Sequence, residues 1–164
     1  MMRFNTLTNR VTWAQHRLCE SRLSLDAVSI HRAQTRVLRT RKAYAILDRD
    51  GKGGSWSQGG CRIAAEATVK AVRALNSLAE VWVLTYAGRA QHFLTKVGDK
   101  YLDIDGIASG DEVMKSMSAF HDWNKDDVQL APMSSNIDSK EIPSSPRAVR
   151  LLSQMILAEL NAQR

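Results

Sequence analysis

Residues 81–105 read VWVLTYAGRAQHFLTKVGDKYLDID, and this stretch decides the fold. It contains three runs rich in β-branched and aromatic residues, at 81–86, 91–97 and 101–105. The two segments between the runs, Ala87-Gly88-Arg89 and Gly98-Asp99-Lys100, have the composition of turns. Strand-forming runs joined by such turns are typical of β-hairpins. The stretch therefore predicts an antiparallel meander of three strands.

A helix that begins at Cys61 is predicted just before the meander. Its apolar residues recur with helical spacing and form one broad face, made of Ile63, Ala64, Ala67, Val69, Ala71, Val72, Leu75 and Leu78. Glu66, Lys70 and Arg73 lie on the opposite side. The many alanines favour close packing of this helix against a sheet. The helix and the meander together predict an α+β fold.

Shorter elements are predicted after this core. They are a short helix from Ser109 or Gly110 to about Ala119, a short strand at 128–130 within the polar residues 122–144, and a helix from Ser145-Pro146 to the C-terminus. Asp111 and Glu112 in the first turn favour the first of these helices. A Ser N-cap followed by Pro is typical of the start of the second. Residues 48–55 have the composition of a loop and lack the GxxxxGK[ST] pattern of a P-loop.

Residues 1–47 are the basic part of the chain. They contain eight Arg and one Lys against Glu20 and Asp26, so their net charge is +7, whereas residues 48–164 carry −1. Two helices are predicted in this segment, at roughly 9–24 and 25–47, ahead of an α+β domain at 48–164. Solvation of a helix surface explains the arginines; a nucleic-acid contact, a membrane-surface contact or a targeting segment are the alternatives. No RRM or zinc-finger pattern supports nucleic acid as the partner.

The composition bounds the class of protein. A chain of 164 residues that is 44% hydrophobic can bury a core without disulfides or metal. No apolar run approaches the ~20 residues of a bilayer span, and the N-terminus lacks a secretory pattern. We therefore expect a soluble cytoplasmic protein, with export by a route without a cleaved signal left open. Cys19 and Cys61 are then expected to be thiols, and no CxxC, HExxH or zinc-type spacing predicts a metal or cofactor.

Cys61 lies where a glycine-rich loop, Gly59-Gly60, becomes the predicted helix. A helix N-terminus has a partial positive charge and free N–H groups, which lower the pKa of a cysteine there. The same N–H groups can stabilise an oxyanion on a carbonyl that the sulfur attacks. These features indicate a reactive thiolate, and the alternative is a buried structural cysteine at the start of a core helix.

His92 and two acids, Asp103 and Asp105, lie on the next predicted strands. One helix and one strand separate His92 from the cysteine, so the chain can return the imidazole to the sulfur, where it would accept the thiol proton. If the hairpin turns on Gly98-Asp99, Leu94 lies opposite Asp103 and His92 opposite Asp105, and both carboxylates share the face of His92. Either acid can then orient the imidazole. A solvent-facing strand edge is the alternative explanation of both.

The order of these motifs resembles that of the small papain-like cysteine proteins of bacteria and bacteriophages. The residues that carry it are Gly59-Gly60-Cys61, Gln91-His92-Phe93-Leu94, Gly98-Asp99-Lys100-Tyr101-Leu102-Asp103 and Gly106, within about 55–108. The resemblance implies a papain-like core in which a central helix packs on a small antiparallel sheet. The helical segments predicted at both ends of the chain lie outside the resemblance. It also implies a catalytic triad, in which Cys61 is the nucleophile, His92 the general base and acid, and Asp103 the orienting residue.

Residues near Cys61 are candidates for oxyanion or substrate contacts. Papain uses a glutamine several residues before the nucleophile as an oxyanion donor, and here Gln58 precedes Cys61 by only three positions. Gln58 would serve, or backbone N–H groups such as that of Gly60 would act alone. Trp56 would either wall a substrate cleft or cap the core. Three further histidines have no suitable partner nearby in sequence and are predicted at the surface, namely His16, His31 and His121.

Two classes of function follow from these residues. The leading expectation is a cysteine hydrolase or acyltransferase of peptidase, amidase or deamidase type, which forms a thioester with a protein or peptide-like substrate. The alternative is a catalytically silent papain-like protein that binds or inhibits a host factor, using the Arg-rich residues 1–47. A nucleic-acid-binding protein driven by the same residues is a weaker third interpretation.

Overall fold

The meander predicted at 81–105 is present in the computed structural model, which describes residues 25–50, 55–57, 59–133, 142 and 144–164. Five antiparallel strands form one sheet in the order β4-β3-β2-β1-β5. The strands are β1 (Glu80–Tyr86), β2 (Arg89–Val97), β3 (Lys100–Leu102), β4 (Ile107–Ala108) and β5 (Val128–Pro132). The short strand predicted at 128–130 is therefore confirmed as β5.

The third strand is shorter than the sequence predicts. The pattern favours a strand from 101 to 105, but β3 ends at Leu102. The carboxylate of Asp103 explains this, because its Oδ1 accepts hydrogen bonds from the main-chain N–H groups of Asp105, at 2.8 Å, and Gly106, at 2.9 Å. An aspartate that bonds its own following main chain competes with strand pairing and turns the chain. The turn leads directly into β4.

Five α-helices are present in the described ranges. They are α1 (Ala27–Leu38), α2 (Arg41–Asp50), α3 (Cys61–Arg73), α4 (Gly110–His121) and α5 (Pro146–Ala162). None of these helices is long and apolar enough to span a membrane. The helix predicted at 9–24 lies outside the described residues.

The single helix expected at 25–47 is two helices. α1 ends where the N–H of Arg39 bonds the carbonyl of Thr35, and Thr40 then starts α2, because its Oγ1 accepts from the N–H of Ala43 at 3.2 Å. α2 continues to Asp50, so the loop predicted at 48–55 begins inside a helix.

The starts of α4 and α5 agree with the sequence prediction. Ser109 caps α4 in a capping box with Glu112, in which each side chain bonds the other residue's main-chain N–H. Ser145 caps α5 by accepting from the N–H of Ala148 at 3.2 Å, with Pro146 at the first helical position.

α3 is the central helix and packs against β2 on one side and α5 on the other. Its small residues, including Ala64, Ala67 and Ala71, are buried, as expected for close packing. The helix ends at Arg73, and Asn76 takes a left-handed conformation with φ of 57°. The prediction that Leu78 continues the apolar face is wrong, since this residue is 90% exposed.

The two faces of the sheet pack against different helices. Helices α1, α2, α3 and α5 share one apolar core, to which Ile30, Leu47, Ile63 and Leu152 contribute. The described part of the basic N-terminal segment therefore packs with the rest of the chain, and the boundary predicted after residue 47 falls inside α2. On the opposite face of the sheet, a second apolar cluster lies under α4 and contains Leu84, Leu94, Tyr101, Val113 and Val128.

Candidate active site

Cys61 is the first residue of α3 and is held there by Gly60. Among the described residues no side chain caps this helix, and Gly60 itself is the N-cap residue. A Cβ at Gly60 would lie 2.9 Å from the carbonyl oxygen of Ser55 and 3.0 Å from Cε3 of Trp56, so a glycine is required here by close packing. The thiol of Cys61 is free, and the residue is 4% exposed.

The sulfur lies against an open edge of β2. Strand β3 pairs with β2 only from Thr95 to Val97. Among the described residues no strand pairs with positions 89–94 of β2 on that side. The N–H of Phe93 belongs to this stretch and lowers the pKa of the Cys61 thiol. The gap between the diverging strands is therefore where the start of α3 meets the sheet.

His92 joins the cysteine to an acid in this gap. Its Nε2 lies 3.1 Å from Oδ2 of Asp103, and its interaction with the thiol of Cys61 raises the pKa of the imidazole. His92 is only 5% exposed. The other oxygen of Asp103 accepts the two main-chain N–H groups that turn the chain, so the carboxylate is fixed at both oxygens. The structure thus brings Cys61, His92 and Asp103 together, with a hydrogen bond between His92 and Asp103 and an interaction between His92 and the Cys61 thiol that shifts both pKa values.

The electrostatics of the three groups favour an ion pair. Burial raises the pKa of the Cys61 thiol, but the hydrogen bond and charge of His92, with the N–H groups of Phe93 and Arg62, lower it below its ordinary value. Burial lowers the pKa of His92, whereas its bonds to Asp103 and Cys61 and their charges raise it to about 10. Burial raises the pKa of Asp103, but the hydrogen bond and charge of His92, together with the N–H groups of Asp105 and Gly106, lower it below its ordinary value. These shifts place the pKa of His92 above that of Cys61, so a thiolate beside an imidazolium is favoured over the neutral pair.

Asp105, the rival of Asp103, is exposed to solvent. It contributes its main-chain N–H to Oδ1 of Asp103, at 2.8 Å. The predicted hairpin register is present, because Val97 pairs with Lys100 and Thr95 with Leu102. The chain leaves this register after Leu102, and therefore Asp105 never reaches the position opposite His92.

Trp56 and Gly60, two of the residues predicted to contact the oxyanion or substrate, make structural contacts in the protein. Trp56 is 2% exposed, and its indole N–H donates to the carbonyl of Leu38 at 2.8 Å, so it caps the core and does not wall a cleft. The N–H of Gly60 donates to the carbonyl of Ser55 at 3.1 Å and is therefore not free for an oxyanion. Gln58 lies outside the described residues.

His31, which was predicted at the surface, is half-buried. Its Nε2 is buried and has no hydrogen-bond partner among the described residues. Burial lowers the pKa of His31, and the main chain and charge of neighbouring Asp103 only partly offset this. His31 therefore lies behind the acid of the site. Its spacing from Gln34 and Leu38, both buried on the same stripe of α1, was the signal in the sequence.

The fold and the site define an α+β protein with a Cys-His-Asp series at the N-terminus of a helix that packs on an antiparallel sheet. No group of three or more His, Cys, Asp or Glu in the described ranges could hold a metal ion. No family model, curated protein or solved structure matches the chain. The chemistry of the site is consequently argued from its own geometry.

Proposed function

We propose that the protein is a papain-like cysteine hydrolase or acyltransferase that acts on an amide or related acyl bond of a protein or peptide-like substrate. The observation that supports this proposal is the grouping of Asp103, which is hydrogen-bonded to His92, with a Cys61 thiol whose pKa His92 lowers. A structural cysteine needs neither a histidine on its sulfur nor a carboxylate on that histidine. A nucleophile needs both, because the histidine holds its proton and the acid orients the histidine.

The reaction begins with attack of the Cys61 thiolate on the substrate carbonyl carbon. The C–S bond forms as the carbonyl electrons move onto oxygen. When the C–N bond breaks, the imidazolium of His92 gives its proton to the leaving amine, and a thioester remains on Cys61. Water or a second amine then attacks the thioester and gives a proton to His92, and the electron pair of the breaking C–S bond returns to sulfur.

The start of α3 supplies the stabilisation of the oxyanion. The first N–H groups of a helix have no partner within the helix and carry partial positive charge. The N–H of Cys61 belongs to this first turn and lies next to the attacking sulfur. It is the main-chain donor of this proposal, because the N–H of Gly60 already bonds Ser55.

Alkylation by iodoacetamide as a function of pH tests this function. In the wild-type protein, the alkylation rate of Cys61 is expected to rise with pH with a midpoint below 9.0, the ordinary thiol pKa. In His92→Ala the midpoint should move to 9.0 or above, since burial remains and the imidazolium is lost. Peptide mapping separates Cys61 from Cys19, the second thiol of the chain.

The matched control is His121→Ala, which removes an exposed histidine from the end of α4 and should leave the profile unchanged. An ordinary pKa at Cys61 in both wild type and His92→Ala would contradict the proposed function.

A further inference from the structure

A cavity of about 370 Å³ lies between the sheet and α4, on the face opposite α3. His92 and Asp103 form one end of it. The remaining walls are largely apolar and include Leu94, Ile107, Val113 and Met117. Its volume is near the lower end of the ~300–1,000 Å³ that ligand sites occupy, which suits one side chain better than a long segment of substrate.

The position of the cavity indicates which part of the substrate it binds, the amine or the acyl group. It borders the imidazole of His92, while Cys61 packs with Ala65 and Phe93 on the α3 face. In the proposed function, His92 gives a proton to the leaving amine and takes one from an incoming amine. A group held beside His92 therefore belongs to the amine, whereas the acyl group is attached to the sulfur.

We propose that this cavity is a subsite for an uncharged, apolar side chain of the amine that leaves or accepts the acyl group. This inference rests on the proposed function and names the substrate class on its amine side. Two carboxylates line the cavity. Asp103 is bonded to His92 and to two main-chain N–H groups. The second, Glu112, is held by the N–H of Ser109 at 2.7 Å and its hydroxyl at 2.8 Å. That carboxylate is occupied by the cap of α4, which favours an apolar occupant over a cationic one.

The amine-transfer step balances without a further reactant. The nitrogen of the amine attacks the thioester carbon on Cys61, and a C–N bond forms. One N–H proton passes to His92, the C–S bond breaks, and the sulfur leaves as a thiolate. The imidazolium–thiolate pair that began the cycle is restored, and the amine leaves as part of an amide.

The test acylates Cys61 with p-nitrophenyl acetate and adds leucinamide or glycinamide as the acceptor amine. The initial burst of p-nitrophenolate, corrected with Cys61→Ser, reports acylation, and the steady-state rate reports deacylation. Leucinamide should accelerate deacylation at a concentration about 10- to 100-fold lower than glycinamide, because its side chain is buried in the cavity.

Two variants locate this preference in the cavity. Ala108→Leu adds volume at a wall residue and should remove most of the preference for leucinamide, whereas Met117→Ala should shift it toward phenylalaninamide. The same substitution at an exposed site of α4, Ala119→Leu, is the control. It should keep the wild-type ratio of the leucinamide and glycinamide concentrations that accelerate deacylation equally. Because this ratio compares two amines in one variant, any effect of the substitution on acylation affects both amines and cancels.

The outcomes separate the two proposals. A Cys61-dependent burst with equal use of leucinamide and glycinamide would overturn the subsite alone. The subsite is likewise overturned if Ala108→Leu and Ala119→Leu keep the same ratio. Absence of any burst that depends on Cys61 would overturn the proposed function and the subsite with it.

Discussion

Nε2 of His92 lies 3.1 Å from Oδ2 of Asp103, although the hairpin register would place position 103 opposite Leu94. The two residues meet diagonally, because the chain leaves the sheet after Leu102 and turns on the carboxylate of Asp103 itself. The same carboxylate therefore makes the turn and binds the imidazole. This double role explains why an acid that follows a strand end, outside the ladder, completes the site.

Replacing this acid should be far more harmful than replacing its neighbour. Asp103→Asn keeps the shape of the side chain but removes the negative charge that stabilises the imidazolium of His92. Deacylation should therefore slow by about 100-fold or more. The matched variant Asp105→Asn keeps the main-chain N–H that Asp105 donates and should cause a much smaller change. Steady-state release of p-nitrophenolate measures both rates. Equal losses in the two variants would mean that Asp103 has no special role.

The pH dependence of amide cleavage follows from the shift at His92. Its pKa is raised from 6.5 to about 10, and the imidazolium must give a proton to the leaving amine. Activity should therefore rise as the Cys61 thiol ionises and fall as pH increases through about 10. Asp103→Ala removes the largest influence that raises this pKa, so the alkaline limb should move to lower pH. Activity–pH profiles and NMR titration of the imidazole measure this, and an unmoved limb in Asp103→Ala would refute it.

Gly60 should be intolerant of a side chain. The added Cβ of Gly60→Ala would lie 2.9 Å from the carbonyl oxygen of Ser55 and 3.1 Å from Cδ1 of Leu47. Overpacking of this kind lowers the free energy of unfolding by about 1–3 kcal/mol. Gly106→Ala is the control, since a Cβ there meets nothing within 4 Å. Denaturant unfolding compares the variants, and similar midpoints would show that the packing at Gly60 is dispensable.

Trp56 should contribute to stability and not to the reaction. Trp56→Phe leaves the buried carbonyl of Leu38 without its donor, which costs about 1–3 kcal/mol in the free energy of unfolding. Trp82→Phe removes an indole N–H whose bond to Glu80 is exposed, keeps an aromatic ring beside Lys96 and Tyr101, and should cost less. Iodoacetamide reactivity of Cys61 in folded Trp56→Phe should match wild type. A stable Trp56→Phe with altered Cys61 reactivity would instead favour a cleft role.

Much of the fold was predictable because its signals are local. Turn composition at Gly98-Asp99 and alternating strand residues predict the β2–β3 hairpin with the register that the structure shows. Capping residues predict the starts of α4 and α5 for the same reason. Boundaries were less predictable where a side chain bonds the main chain, as at Thr40 between α1 and α2.

The sequence by itself determined that a cysteine opens a helix, that a histidine lies on the next hairpin, and that two acids follow it. Only the tertiary structure decided between Asp103 and Asp105, and it placed His31 behind the acid and Trp56 in the core. The physical reason is the range of the interactions. Caps, turns and periodicity act within a few residues, whereas the meeting of side chains depends on where the chain bends and which buried groups find partners far along it.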